Sequence, residues 1–364
     1  MRIRPFEPSD AAKVASLWQY WFRDKTRDPA PELVELVRHN YVERPAGDPE
    51  VPSLVAVGDD GALQGFLGVT TTPVIKDGER RTLAGVFPSV VAPEAPTMVA
   101  SLLLRKALAG PQVLTLSDGG HVKFERIWER LGGRIAPTAS LRWIKVLRPV
   151  RLGAETVLGA RSWGRSLGAV WRPVAGGADW LARRAGQDWF GANESAVQAE
   201  PLTPAGLIDA VKRVHAKTRL RPDYDETYLA WLLKSMTAIQ GQGDLEAWRV
   251  LSPTGAPLGW WVAYLAPGRT SRVFALDGTD DDLGTVTDHL FARADAAGVA
   301  ALIGRLEPRL RRPLATHGTF THNGGSLQMI HSSDPSLLND ALLGRLAFSR
   351  LEGENWFWWG IVAH

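Results

Sequence analysis

Residues 3–18 read IRPFEPSDAAKVASLW. Residues 1–5 suit a short strand that ends at Pro5, and Ser9 or Asp10 offers a side-chain oxygen for the open amides of a helix's first turn. Beyond that cap, Val14, Leu17, Trp18, Trp21 and Phe22 recur at helical spacing, which predicts an amphipathic helix over 9–23 with all five on its apolar face.

The same reading extends outward. A second helix is expected over 31–42, where Leu33, Leu36, Val37 and Tyr41 share a face. Strands follow at 53–57, 64–74 and 81–91, separated by the hairpin signals Gly58-Asp59-Asp60-Gly61 and Lys76-Asp77-Gly78. A helix (97–109), a strand (112–116), a helix (121–131) and a long strand (134–146) complete the first half. From 197 the order returns: strand 197–200, a helix capped by Thr203, helix 226–236, and strands 246–251, 259–266 and 272–276. Helix 281–297, strand 300–306, helix 308–317 and strand 319–331 follow. The repeat is one of element order, with little residue identity.

At 364 residues, length favours two domains. The absence of cysteine excludes disulfides, thiolate metal sites and cysteine nucleophiles. His317 and His322 fit no usual ligand spacing, and no metal site is expected. The N-terminus has no apolar leader and no stretch approaches 18 apolar residues, so a cytoplasmic protein is the expectation.

The succession β, α, α, β, β, β, α, β, α, β, the opening IRPFEPSDAAKVASLW and the closing FERIWERLGGRI (124–135) resemble the GNAT (GCN5-related N-acetyltransferase) superfamily. The resemblance implies an α/β fold (α+β, three-layer) of two tandem GNAT-like domains, each a mixed, mostly antiparallel sheet flanked by helices. The boundaries expected are 1–147 for the first domain, 148–195 for a connector, 196–333 for the second domain and 334–364 for an appendage capped by Asp334. The double layout is similar to tandem GNAT proteins of bacterial exopolysaccharide and cell-envelope pathways. It implies N-acyl transfer, with acetyl-CoA as donor, to an amino sugar or envelope precursor. The alternatives are a non-catalytic GNAT-like binding or scaffold protein and a Fem-type aminoacyltransferase.

In this family the acyl-CoA pyrophosphate meets backbone amides at a helix start. The resemblance therefore places the cofactor at Val90, Val91, Ala92, Thr97 and Met98, although Pro93, Glu94 and Pro96 stand where glycines are usual. In the second half Asp280, Asp281 and Asp282 stand at the matching helix start and would repel phosphates. The usual tyrosine acid is replaced by Trp128 in one half, whose indole N–H is a very weak acid, and by Leu314 in the other, which has no proton to give. The position seven residues earlier holds His121 or Glu307. Asp118, just past a strand end, joins these two as a candidate base. Arg219, Arg221, Asp223 and Tyr224 (in TRLRPDYDE), with Glu352 near the end, combine guanidinium, carboxylate and phenol as an acceptor site would.

Residues 134–184 hold ten Lys or Arg against Glu155 and Asp179, with four of the chain's 15 tryptophans. Trp163, Leu167, Val170 and Trp171 fall on one helical face. This composition suits inter-domain packing or peripheral contact with an anionic membrane, and nucleic acid is not expected.

Overall fold

In the computed structural model the chain opens with the expected strand and helix, but the Asp10 side chain makes no cap bond to the helix's first-turn amides. Strand β1 (Arg2–Pro5) leads through a 3-10 turn (Pro8–Asp10) into helix α1 (Ala11–Phe22). The Asp10 carboxylate accepts a hydrogen bond from the Glu7 amide at 2.9 Å and two from the Arg4 guanidinium at 2.7 and 2.8 Å. The structure describes residues 1–120, 122–153, 179, 190–192, 197–324, 326–353 and 355–363.

The chain forms two compact units, and neither is a contiguous half. Unit 1 takes Met1–Ser140, Lys217–Gln240 and Gly325–His364, and unit 2 takes Leu141–Ala216 and Gly241–Gly324. Each is built on a mixed, mostly antiparallel sheet flanked by helices.

In unit 1, β1 is followed by α2 (Pro31–Tyr41), β2 (Leu54–Val57), β3 (Leu63–Lys76), β4 (Glu79–Val91), α3 (Val99–Leu108), β5 (Leu114–Gly120), α4 (Val122–Arg130) and β6 (Arg134–Ile135). Later chain adds β9 (Leu220–Pro222), α6 (Glu226–Ala238), β15 (Leu327–His331), α9 (Pro335–Leu342) and α10 (Asn355–Ala363). The strand order is β1-β2-β3-β4-β5-β15-β6, with β9 added to β3. All pairs are antiparallel except β4 with β5.

In unit 2, β7 (Leu141–Val146), β8 (Gln198–Pro201), α5 (Pro204–Val214), β10 (Asp244–Leu251), β11 (Pro257–Leu265), β12 (Thr270–Gly278), α7 (Leu283–Ala296), β13 (Ala301–Arg305), α8 (Arg311–Thr316) and β14 (Phe320–Asn323) give the order β14-β7-β13-β12-β11-β10-β8. Its one parallel pair is β12 with β13.

Two long strands expected from the sequence are each two short ones. The breaks fall at Pro137, which lacks an N–H, and after Asn323, where Gly324 follows. The first piece of each stays in its own half's sheet, whereas β7 and β15 join the sheet built mainly from the other half. The segment expected as an appendage likewise belongs to unit 1, as do the helix and loop around Tyr224.

β15 shows why it is needed. Its consecutive residues Met329 and Ile330 are both fully buried, and they enter two different cores on opposite faces of the sheet. One core holds Leu67, Val99, Leu103 and Trp128, and the other holds Leu83, Leu114, Leu116, Leu337 and Leu346. Trp128 is wholly buried, and its indole N–H donates to the Ile330 carbonyl at 3.0 Å. In unit 2, Leu283, Val286, Leu290, Phe291 and Ala294 of α7 pack with Trp143, Trp261 and Leu302.

Two of the expected caps form. Thr203 accepts the Gly206 amide, and Asp334 accepts those of Ser336 and Leu337. Trp21 departs from expectation. It is half exposed, and its indole donates to the Val91 carbonyl at 2.7 Å. The connector lies almost entirely outside the described residues, including Trp163 and Trp171. Among the described residues no helix is long and apolar enough to cross a membrane.

Candidate functional site

The site in unit 1 begins where two parallel strands part. β4 and β5 are in register only at Leu83–Leu114, Ala84–Thr115 and Gly85–Leu116. Beyond Gly85, β4 continues beside β3 alone as far as Val91. Beyond Leu116, β5 pairs with β15. Asp118 therefore lies within β5, not past a strand end as the sequence suggested, because β15 prolongs the strand. It is buried, and Gln328 of β15 donates to its Oδ1 at 3.1 Å.

The chain's last stretch crosses against this carboxylate. A Cβ placed on Gly353 would lie 2.0 Å from Asp118 Oδ2, so only glycine lets the backbone pass. The preceding residue, Glu352, is 1% exposed. Its carboxyl accepts hydrogen bonds from the Tyr224 hydroxyl and from the Ser349 amide. Burial pushes the Glu352 carboxyl up to about 7. The Ser349 amide works against the rise, nearby Asp118 adds to it, and the Arg44 cation opposes it. Two buried carboxyls and a phenol, brought from residues 118, 224 and 352, thus share one place.

An aromatic shelf borders them. Tyr224 stacks on Tyr228 and Tyr228 on Trp231, with centroids 6.1 and 6.0 Å apart. Arg44, just after α2, lies over the Tyr228 and Trp231 rings and donates to the Tyr228 hydroxyl at 2.7 Å. His39 stacks against Trp231 and meets Ser235 Oγ at 2.7 Å. Phe357 and Trp358 of α10 pack on Phe87, where β4 leaves β5.

The other candidates lie elsewhere. Arg219 is in a carboxylate network, with bonds to Asp77, Asp334 and Asp340 at 3.0 to 3.2 Å. Arg221 pairs in β9 opposite Ile75, and Asp223 pairs with Arg80 at 3.2 Å. Arg219→Ala is expected to cost about 1 kcal/mol or less of stability, because the network is partly solvated, and to leave acceptor KM unchanged. Thermal unfolding and steady-state kinetics of the variant check both. His121 lies outside the described residues.

At the expected donor position, Val90 is buried in the sheet, and the Val91 carbonyl is taken by Trp21. The Ala92, Ala95 and Val99 amides bond to Gln64, Ala92 and Pro96. Pro93 and Pro96 have none to give, and among the described residues no acceptor meets the Glu94, Thr97 or Met98 amide. Thr97 and Met98 are exposed at the start of α3.

Unit 2 has its own parting strands, with pairing confined to Thr270–Ala301, Ser271–Leu302 and Arg272–Ile303. Here the polar groups neutralise one another. His215 Nε2 meets Asp277 Oδ2 at 2.8 Å, and Arg309 bonds Asp277 at 3.0 Å and Asp280 at 2.9 Å. Burial pushes the Asp277 carboxyl up, but His215 and Arg309 hold it below the ordinary range. Glu307 is raised by burial and bonded to Arg305 at 3.1 Å. Sequence reading missed His215 and Arg44, whose partners lie 62 and 184 residues away.

No family model matches the chain, and no curated protein does. Solved structures do. A conserved protein of unknown function from Enterococcus faecalis V583, described as a probable N-acyltransferase, superposes with a TM-score of 0.55 at 13% identity, over 93% of this chain and 73% of that one. A GCN5-related N-acetyltransferase from Kribbella flavida gives 0.52 at 15%, over 92% and 71%. The N-myristoyltransferase of Saccharomyces cerevisiae, solved with bound myristoyl-CoA and inhibitors, gives 0.52 at 9%, over 91% and 79%. At these identities the likeness is one of fold, and the fold of this chain is that of the GCN5-related N-acetyltransferases.

Proposed function

We propose that the chain is an N-acyltransferase that uses an acyl-CoA donor and works at the Asp118–Glu352 site of unit 1. The observation that carries this reading is a buried carboxyl poised near neutrality, beside a second carboxyl, at the point where β4 and β5 part. An acceptor amine is protonated at neutral pH and must lose a proton to become a nucleophile. A base with a pKa near 7 is matched to that task.

The residues fit a donor in part. Among the described residues β4 beyond Gly85 pairs with no strand on its β5 side, although Tyr41 and Trp21 take the Phe87 and Val91 carbonyls, and the amides of Thr97 and Met98 at the start of α3 could receive phosphate oxygens. When bound, the donor supplies an acyl group activated as a thioester. Glu352 takes the ammonium proton, Tyr224 holds the Glu352 carboxylate in place through its hydroxyl, and burial, with Asp118 adding to it, keeps the Glu352 pKa high. α10 over Phe87 excludes water from the same corner.

The acceptor expected from the sequence, an amino sugar or envelope precursor, belongs to this proposal. The Tyr224–Tyr228–Trp231 shelf beside two carboxyls supplies the aromatic surface that a sugar ring packs on. Acetyl as the acyl group, and contact of the connector with anionic lipid, are likewise proposals drawn from the residues. The sparse amides of 92–98 favour a second reading, a non-catalytic protein that keeps the fold and binds a ligand. Incubation with acetyl-, butyryl- and palmitoyl-CoA and a panel of amines, read by free thiol and by mass spectrometry, separates the two. Amine-dependent thiol release is expected, and its absence with all three donors would reject the enzyme.

A further inference from the structure

Arg44 is 9% exposed, and among the described residues no carboxylate pairs with it. Its Nη2 donates to the Tyr228 hydroxyl and reaches the Thr71 carbonyl at 3.5 Å, while its buried Nε and Nη1 have no acceptor. Arginine stays charged inside proteins, and a buried charge is costly unless it is paired and hydrogen-bonded. The two rings beneath the guanidinium offset some of this cost, but they cannot accept in the plane of its N–H bonds.

The unmet donors are grouped. Trp231, whose ring lies under Arg44, has a buried indole N–H without an acceptor. So does Trp356, edge-on to Trp231 at 5.7 Å. Arg44 also lines a cavity of about 270 Å³ with Asn40, which is 1% exposed and has neither amide atom bonded. Buried polar atoms in folded proteins are nearly always satisfied, so the orphan N–H groups of Arg44 and of Trp231 beneath it call for an acceptor-rich, negatively charged partner. A carboxylate fits best, because its two oxygens match the guanidinium fork.

We propose that Arg44 receives the carboxylate of the acceptor, so that the acceptor class is small molecules bearing both an amine and a carboxylate. This rests on the acyl-transfer reading for the amine, with the base Glu352 linked to Arg44 through Tyr224, which bonds Glu352 and stacks on Tyr228, whose hydroxyl Arg44 meets. The carboxylate can belong to an amino acid or to an amino-uronic sugar, and the two are separable.

The test is calorimetric titration of the full chain with two matched pairs: L-alanine against L-alaninamide, and 2-amino-2-deoxyglucuronate against glucosamine. In at least one pair the carboxylate member should bind at least tenfold more tightly, and Arg44→Met should remove that preference. Arg44→Lys, which keeps the charge but loses the fork, should retain part of it. The responding pair identifies the source. Ligand-free Arg44→Met should melt no lower than wild type, since it removes an unpaired buried cation. Three results would overturn the proposal: no preference in either pair, a preference that survives in Arg44→Met, or a lower melting point in that variant with equal loss of charged and uncharged ligands. Binding is read without turnover. Carboxylate preference without thiol release would therefore reject acyl transfer and keep the Arg44 site, whereas thiol release without carboxylate preference would do the reverse.

Discussion

Glu352→Gln is expected to lower kcat by about two to four powers of ten, the range over which a positioned base contributes to a proton-transfer step. The variant keeps the acceptor oxygen that meets Tyr224 but cannot take a proton. In the wild type the ionised carboxylate is the active form, so kcat/KM should rise with pH and level off above about 7. Asp118→Asn removes a neighbouring negative charge and should move that inflection to lower pH. Stability runs the other way. The Glu352 carboxyl is raised from 4.5 to about 7 in the fold, so its contribution is fully present below the unfolded value and is lost as pH rises through 7. The difference is on the order of 3 kcal/mol. Glu352→Gln should therefore match wild type in urea unfolding at pH 4 and exceed it at pH 8.

A second large effect concerns the fold. Residues 1–147 expressed alone should give no cooperative thermal transition, although sequence order makes them look like a domain. They lack β15 and the C-terminal helices, and with them the buried Met329, Ile330, Leu337, Leu346, Leu351, Trp356, Phe357 and Ile361. At about 1.5–3 kcal/mol each, their loss equals or exceeds the roughly 5–15 kcal/mol by which a folded protein is stable. Circular dichroism on heating reads the outcome. A cooperative transition from the fragment would contradict the assignment of β15 and the tail to unit 1.

What the sequence revealed was local. Thr203 and Asp334 cap their helices as their side-chain chemistry requires, and the helical stripe of Val14, Leu17 and Trp18 is buried as its spacing demands. Trp21, on the same stripe by spacing, is half exposed because its indole serves the Val91 carbonyl. The long strands misled because a run of extended residues does not say which sheet it joins. Pro137 and Gly324 mark the breaks, but strand pairing decides the destination.

The site divides in the same way. Asp118, Tyr224 and Glu352 stand out by residue type, yet nothing in their spacing shows that residues 128 apart share a hydrogen bond. Arg44, in the plain stretch VERPAG, carries no local signal at all. Its significance comes from the rings beneath it and the acceptors it lacks. Arg219 shows the converse, a guanidinium among carboxylates that looks like a binding residue and is a surface clamp.

The most direct test of a catalytic site in unit 1 is amine-dependent thiol release from an acyl-CoA by wild type, Glu352→Gln and Glu307→Gln, measured side by side at pH 8. The expected result is release by wild type and by Glu307→Gln at similar rates, with Glu352→Gln slower by at least a hundredfold. Loss of activity in Glu307→Gln with Glu352→Gln unaffected would place the chemistry in unit 2 and contradict the assignment.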